Sequence, residues 1–286
     1  WEIGEILWID AITFIIAVLP LFFLNIPSVR PKEKEDEEIV KTSFKDEFME
    51  GITFIREKEG LLSLLSVFTG VNFFFMPIFV LLPLWVKSVN NGGAGELALL
   101  LACNSLGNLL GSVLMSTILS KGFEKKVHGV VGGLTLGYIG FFFLGLAPEG
   151  AFWFMAIGMF ILGIDLPIAN ISSQTIWQTV VPPEKIGRVF SVRQTIAQIS
   201  APAGMILSGI IAEVIGIRTV YLAAATIGSL LLGCLWFFTG LPNVEKTLGI
   251  DFAEPTPILD KEVIAATSSE EIKEEKEVPD VTGSES

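Results

Sequence analysis

Apolar residues gather along this chain into long runs separated by short polar segments. Seven runs can be marked, at residues 6–26, 62–86, 97–119, 127–147, 152–176, 197–215 and 220–241. A helix rises about 1.5 Å per residue, so roughly 20 residues cross a hydrocarbon core of about 30 Å. Every run has about that length. Strict polar–apolar alternation is missing from them, and lipid offers no partner to an open backbone group, so each run predicts a transmembrane helix rather than a strand. The predicted fold class is an all-α membrane protein with seven spans.

The polar segments set a direction. Arg30, Lys32, Lys34, Lys41, Lys45, Arg56 and Lys58 lie between the first and second runs, and only Lys87 lies in the next gap. Lys121, Lys125 and Lys126 follow the third run, and Lys185, Arg188 and Arg193 precede the sixth. Arg218 stands alone after the sixth run, and Lys246, Lys261, Lys273 and Lys276 lie beyond the seventh. Alternate loops thus hold 17 of the 19 basic residues. Because Lys and Arg accumulate on the cytoplasmic side, the rich loops and the C-terminus are expected inside, in a multi-pass cell-membrane protein. In the first rich loop Phe44, Phe48, Ile52 and Ile55 recur at helical spacing, with charged residues on the other faces. This predicts an amphipathic helix along the interface.

Charge and composition refine the ends. The formal net charge is −12, and from Pro242 onward 12 acidic residues face four basic ones, which leaves −8 in residues 242–286 alone. Rich in Glu, Ser and Pro and poor in aromatics, that tail is expected to be a disordered acidic cytoplasmic segment. Trp1 follows no initiator Met, basic region or cleavage site, so the chain is expected to be a fragment with an odd number of spans upstream.

Candidate chemistry is sparse. Cys103 and Cys234 lie inside apolar runs and His128 is the single histidine. No metal-ligand spacing, nucleotide-binding Gly-Lys loop or catalytic triad is present, so neither enzyme activity nor a cofactor is expected. Charged groups inside a membrane are costly and functional by default, which singles out Asp165. It lies 13 residues past Phe152, about 20 Å down the helix. Gly158 and Ser172 share its face at seven-residue spacing, and Pro167 is expected to loosen the backbone beyond it. Asp10 and Glu213 lie near span ends and read as interfacial, with Glu213 placed to pair with Arg218.

Uncharged polar residues recur in the spans. Asn72, Asn104, Asn108, Asn170, Gln174, Gln194 and Gln198 are either walls of a cavity or hydrogen-bonding glue between helices. Phe73, Phe74, Phe75, Met76 and Trp85 would give such a cavity an aromatic surface. Gly129, Gly133 and Gly137, with Gly107 and Gly111, repeat every four residues and allow close helix approach. Pro77, Pro83 and Pro202 predict bends. Residues 182–193 form a short inward loop and the best gate candidate: Pro182 and Pro183 stop the preceding helix, and Glu184, Arg188 and Arg193 offer charges for closure.

Several of these residues carry a resemblance. Trp8 to Phe14, then Glu50-Gly51-Ile52-Thr53-Phe54-Ile55-Arg56, then Pro77 and Leu82-Pro83-Leu84 resemble the sixth helix, central loop and seventh helix of the major facilitator superfamily. Val181-Pro182-Pro183-Glu184 through Gly187-Arg188-Val189-Phe190-Ser191, with Ala201-Pro202-Ala203-Gly204 and Gly209, is similar to the segment before helix eleven in its macrolide-efflux and siderophore-exporter branch. The departure is Ser120-Lys121-Gly122-Phe123-Glu124-Lys125-Lys126, which keeps only the basic character of the loop between helices eight and nine. There Lys121, Lys125 and Lys126 read as orienting charges.

The resemblance implies two six-helix halves around a cavity open to alternate sides. Residues 1–27 would be helix six, 28–60 the central loop, 61–241 the C-terminal six-helix half and 242–286 the tail. It also implies that the Asp165 span lines the cavity. The expected function is secondary active transport: proton-coupled efflux, as an antiporter, of amphipathic small molecules by alternating access. A non-transporting membrane receptor or scaffold using the acidic tail is the alternative. Expected partners are the small-molecule substrate, protons, the bilayer and the missing N-terminal half of the carrier, with no nucleic acid.

Overall fold

The computed structural model describes residues 3–19, 43–120 and 125–250. These form α1 (Ile3–Val18), α2 (Phe44–Glu57), α3 (Glu59–Leu84), α4 (Ala94–Ser120), α5 (Lys126–Leu146), α6 (Phe152–Val180), α7 (Ile186–Ile199), α8 (Ala201–Ile215), α9 (Ile217–Phe238) and α10 (Val244–Thr247). Among the described residues there is no strand, and six helical segments are long and apolar enough to cross a membrane. The first expected span is represented by α1, which forms a unit apart from the rest, and its remainder lies outside the described residues.

From Phe44 onward the helices form one compact unit. Its largest fully buried side chains are aromatic: Trp85, Tyr138, Phe141, Trp177 and Tyr221. Phe75 meets Phe141 and Tyr138 edge-on at centroid separations of 4.9 and 5.3 Å. Such pairs add directionality to apolar burial. Phe75 and Trp85 are therefore core residues, a correction to their expected place on a cavity surface.

Glycines set how closely α4, α5 and α6 approach. A Cβ on Gly163 of α6 would fall on the Asn104 carbonyl of α4, and one on Gly107 of α4 would fall on the Phe160 carbonyl of α6. On the other flank, a Cβ on Gly133 of α5 would lie 2.7 Å from the Ala169 backbone nitrogen. The four-residue glycine spacing thus becomes backbone-to-backbone contact on both sides of α6. Pro167 lies inside α6, which runs on to Val180; its missing N–H leaves the Gly163 carbonyl without the usual donor.

The sixth span departs from expectation. Its helical segment starts at Pro183 and continues to Ile215 with a break at Ser200, whereas the sequence suggested helix only from Ala197. Most of the supposed loop 182–193 is helix α7, and Arg188 and Arg193 stand on it. Its modest apolar content hid it, because α7 alternates buried Val189, Val192 and Ala197 with polar residues. Pro202 enters at the start of α8, where its missing N–H breaks the ladder at Ser200. On α3, Pro83 precedes a wide π-helical turn, Trp85–Val89. Between α8 and α9 the link is Gly216 alone, whose φ of 83° suits glycine.

The polar ends also differ from expectation in one respect. Leu241–Asn243 is a 3-10 turn that leads into α10, and Leu241 and Val244 are fully buried. Residues 242–250 therefore fold onto the bundle; the rest of the tail lies outside the described residues. Two contacts explain this. Leu248 and Val244 cover Gly60 of α3, and a Glu245 oxygen accepts the Val127 backbone N–H at 2.8 Å. A carboxylate there satisfies an open donor at the N-terminus of α5 and complements its dipole.

Candidate functional site

A groove of about 520 Å³ opens between α6 and α7. Asn170, Gln174 and Gln178 reach it at four-residue spacing along α6, with Thr175 beside them, and Arg193 and Gln194 complete it from α7. Gln198 is exposed one turn beyond Gln194, and Asn108 is exposed on α4. Amides on a helix that crosses a membrane are unfavourable against lipid. Such a face calls for water or protein opposite it. Arg193 is half-buried in this groove and stacks over Trp177 at 5.0 Å and Phe190 at 5.4 Å. Its Nη1 donates to Gln174 Oε1 at 2.7 Å and its Nη2 to Ser173 Oγ at 3.4 Å.

The remaining expected polar residues separate into other roles. Asn104 donates to the Met159 carbonyl at 3.1 Å, bridging α4 to α6. Asn72 donates to the Ala197 carbonyl at 2.8 Å, beside the break between α7 and α8. There Thr69 Oγ1 donates to the Leu65 carbonyl of its own helix at 2.8 Å and lies 3.4 Å from the Ile196 carbonyl, and Ser200 Oγ donates to the Thr69 carbonyl at 2.6 Å. Carbonyls released by an interrupted helix need donors where lipid supplies none. Thr69 and Ser200 were not singled out in the sequence. The signal was available, since a proline at 202 within an apolar span implies orphaned carbonyls a few residues before it.

Asp165 lies away from the groove, fully buried in the contact between α6 and α5. Neither carboxylate oxygen has a hydrogen-bond partner among the described residues, and Ser172 Oγ on the same face also lacks one. A methyl on Gly137 of α5 would collide with both the Asp165 carboxylate and the Phe75 ring. Glycine is thus what leaves room for the acid. Gly158, Asp165 and Ser172 share the buried face that their spacing placed them on.

At the start of α7, Arg188 grips carboxylates, but those of α2. Its Nη1 lies 2.7 Å from Glu50 and its Nη2 3.4 Å from Glu47, while Lys185 Nζ is 3.1 Å from Glu50. Hydrogen bonds from Lys185 and then Arg188 hold the Glu50 carboxyl below its ordinary value. Gly51 lets α2 close on α7, since a Cβ there would lie 2.7 Å from Val192. The amphipathic helix therefore rests part of its apolar face on protein, with Ile55 buried and Phe44 exposed. Glu184 is exposed on the intervening turn.

Other expectations resolve at the opposite end. Arg218 donates to the Ala147 carbonyl at 2.7 Å and lies 5.8 Å from the Trp85 ring, so its expected pairing with Glu213 is corrected. A carbonyl at a helix C-terminus is a ready acceptor, and Glu213 stays exposed. Asp10 falls on α1, with its side chain outside the described set, and Lys121 lies outside the described residues. His128 is exposed and meets Trp236 edge-on at 5.2 Å. No cluster of three metal-ligating side chains occurs among the described residues.

The sequence matches the Major Facilitator Superfamily over residues 3–204 and, in an overlapping stretch, over residues 90–267. The chain belongs to the major facilitator superfamily. It is 27% identical over 227 residues to macrolide efflux protein A of Streptococcus pyogenes, covering 79% of this chain and 55% of that protein. The macrolide efflux protein A of Enterococcus faecalis is 26% identical over 205 residues, 72% of this chain and 62% of that protein. Multidrug efflux pump Tap of Mycolicibacterium fortuitum is 26% identical over 242 residues, 84% of this chain and 56% of that protein. The chain thus spans a little over half the length of these curated relatives. In this superfamily member, membrane-crossing helices carry the groove on α6 and α7, the glycine seam and the bridging amides alike.

Proposed function

We propose that this chain is the C-terminal half of a secondary active carrier that exports amphipathic small molecules by alternating access. The observation that carries this reading is the open polar groove of α6 and α7 within otherwise apolar spans. In a superfamily member such a face is suited to a substrate path, closed from the other side by a second half of the carrier. The efflux relatives, whose names specify macrolides or multiple drugs, support export of bulky organic molecules over a receptor or scaffold role. The positive-inside pattern supports a cell-membrane location with α2, α10 and the C-terminus on the cytoplasmic side.

Coupling to protons is the second part of the proposal. Asp165 supplies a carboxyl that takes and releases a proton at the α5–α6 contact, so that its charge state biases how those helices pack. Arg188, Arg193 and Glu184 belong to the cytoplasmic gate, with α2 as the element against which Arg188 closes. The test is flux of dye-like substrates in inverted vesicles containing the intact carrier, with and without a proton gradient. Asp165→Asn is expected to abolish gradient-driven uptake while membrane expression stays at the wild-type level. Undiminished uptake by that variant would reject the coupling role.

A further inference from the structure

We infer that the α6–α7 groove binds an anionic group of the substrate on Arg193, so that carboxylate-bearing amphiphiles are its favoured class. The inference rests on the transport reading above and names the substrate chemistry that reading left open. Among the described residues Arg193 is the sole charged one lining the groove; the other polar groups there are the amides of Asn170, Gln174, Gln178 and Gln194 and the hydroxyl of Thr175. Among the described residues it has no ion-pair partner, in contrast to Arg188 five residues earlier, which meets two carboxylates.

The guanidinium is also held in place. Gln174 and Ser173 accept from its two terminal nitrogens, and Trp177 and Phe190 fix its plane from α6 and α7. A guanidinium carries five N–H donors in a rigid fork, so two bonds leave capacity for a carboxylate. Neutral partners orient the charge without cancelling it. The amides alongside can serve as donors or acceptors to the polar remainder of a ligand, and the two aromatic rings supply apolar contact. A cationic amphiphile would instead bring like charge to a groove with no described carboxylate on its walls.

The experiment uses three probes on one aromatic scaffold, ending in a carboxylate, a primary amide or a dimethylamine. Binding is measured by titration calorimetry on the detergent-purified intact carrier, and flux in vesicles. The carboxylate probe is expected to bind best and to be transported. In Arg193→Gln its affinity and flux should fall about tenfold or more, as loss of a charged hydrogen bond implies, while the amide probe falls far less. Arg193→Lys, which keeps charge but loses the fork, should lie between and remain informative if the Gln variant does not fold. Equal binding of all three probes, preference for the amine, or an equal loss for all three in Arg193→Gln would overturn the inference. The last outcome would instead mark Arg193 as partner to a protein carboxylate. Carboxylate binding without flux would sink the transport reading and leave the anion site standing. Flux without charge preference would do the reverse.

Discussion

On two flanks α6 touches its neighbours through backbone atoms, with Gly163 against Asn104 and Gly107 of α4 and Ala169 against Gly133 of α5. Towards α7 its side chains Asn170, Gln174 and Gln178 open into a groove. The first arrangement tolerates no added atom, and the second holds together through side-chain hydrogen bonds that can exchange with water or ligand. The contact of α3 with α7 and α8 combines both kinds: a Cβ on Gly204 of α8 would fall on the Phe73 carbonyl of α3, while Asn72 and Ser200 join α3 to the break between α7 and α8 by side-chain hydrogen bonds. Dispersion across close-packed backbones falls off steeply with separation, whereas a hydrogen bond can be traded for another. The described helices therefore combine a stiff seam around α6 with an adjustable flank towards α7, which the proposed alternation of access would use.

The sharpest test of this contrast is a methyl-bearing residue in the seam. Gly163→Val is expected to destabilise by about 3 kcal/mol or more, the upper range for overpacking, read as a large fall in the unfolding temperature of the detergent-purified carrier. Gly132→Val on α5, where a Cβ meets nothing within 4 Å, should change it little. Similar losses at both positions would erase the distinction. On the flank, Asn72→Ala should cost about 1–2 kcal/mol by leaving the Ala197 carbonyl without its donor. It should be non-additive with Ser200→Ala in a double-mutant cycle, since both serve the same break.

The smallest effect is expected where the charges are exposed. Glu50→Gln removes the Glu50 pairs with Lys185 and Arg188, leaves that of Glu47 with Arg188, and should shift stability less than Asn72→Ala, because half-exposed pairs are screened. The sign follows from the lowered Glu50 value in the folded protein: the contribution is present above the ordinary carboxylate range and disappears as pH falls through the lowered value. Wild type should therefore exceed Glu50→Gln in unfolding temperature at neutral pH and match it in acid. A difference that grows on acidification would contradict the assignment.

Most of the bundle was readable because hydrocarbon leaves few options: long apolar runs must be helices, and the runs at 62–86, 97–119, 127–147, 152–176 and 220–241 each contain the body of an observed helix. The sixth was misjudged at its start because α7 mixes Arg188, Arg193, Gln194 and Gln198 with its apolar residues, and hydropathy treats polar positions as loop. The ordered start of the tail was missed for a similar reason, since Val244 and Leu248 are isolated among charges and gain their burial from Gly60. Of the polar candidates, the sequence placed Asn170 and Gln174 together at helical spacing. It offered no way to tell that Asn72 and Asn104 bridge helices.

Sequence by itself determined membrane residence, helical state, the approximate span boundaries and the glycine faces, because these follow from local composition and period in a solvent that forbids unpaired backbone. Tertiary structure alone decided which polar groups are spent and which remain open. Among the described residues Asp165 sits buried without a hydrogen-bond partner, Arg188 is answered by α2, and Arg193 stands in a groove with neutral neighbours. Those three fates depend on how helices approach one another in space, and no local pattern of residues encodes a distance of that kind.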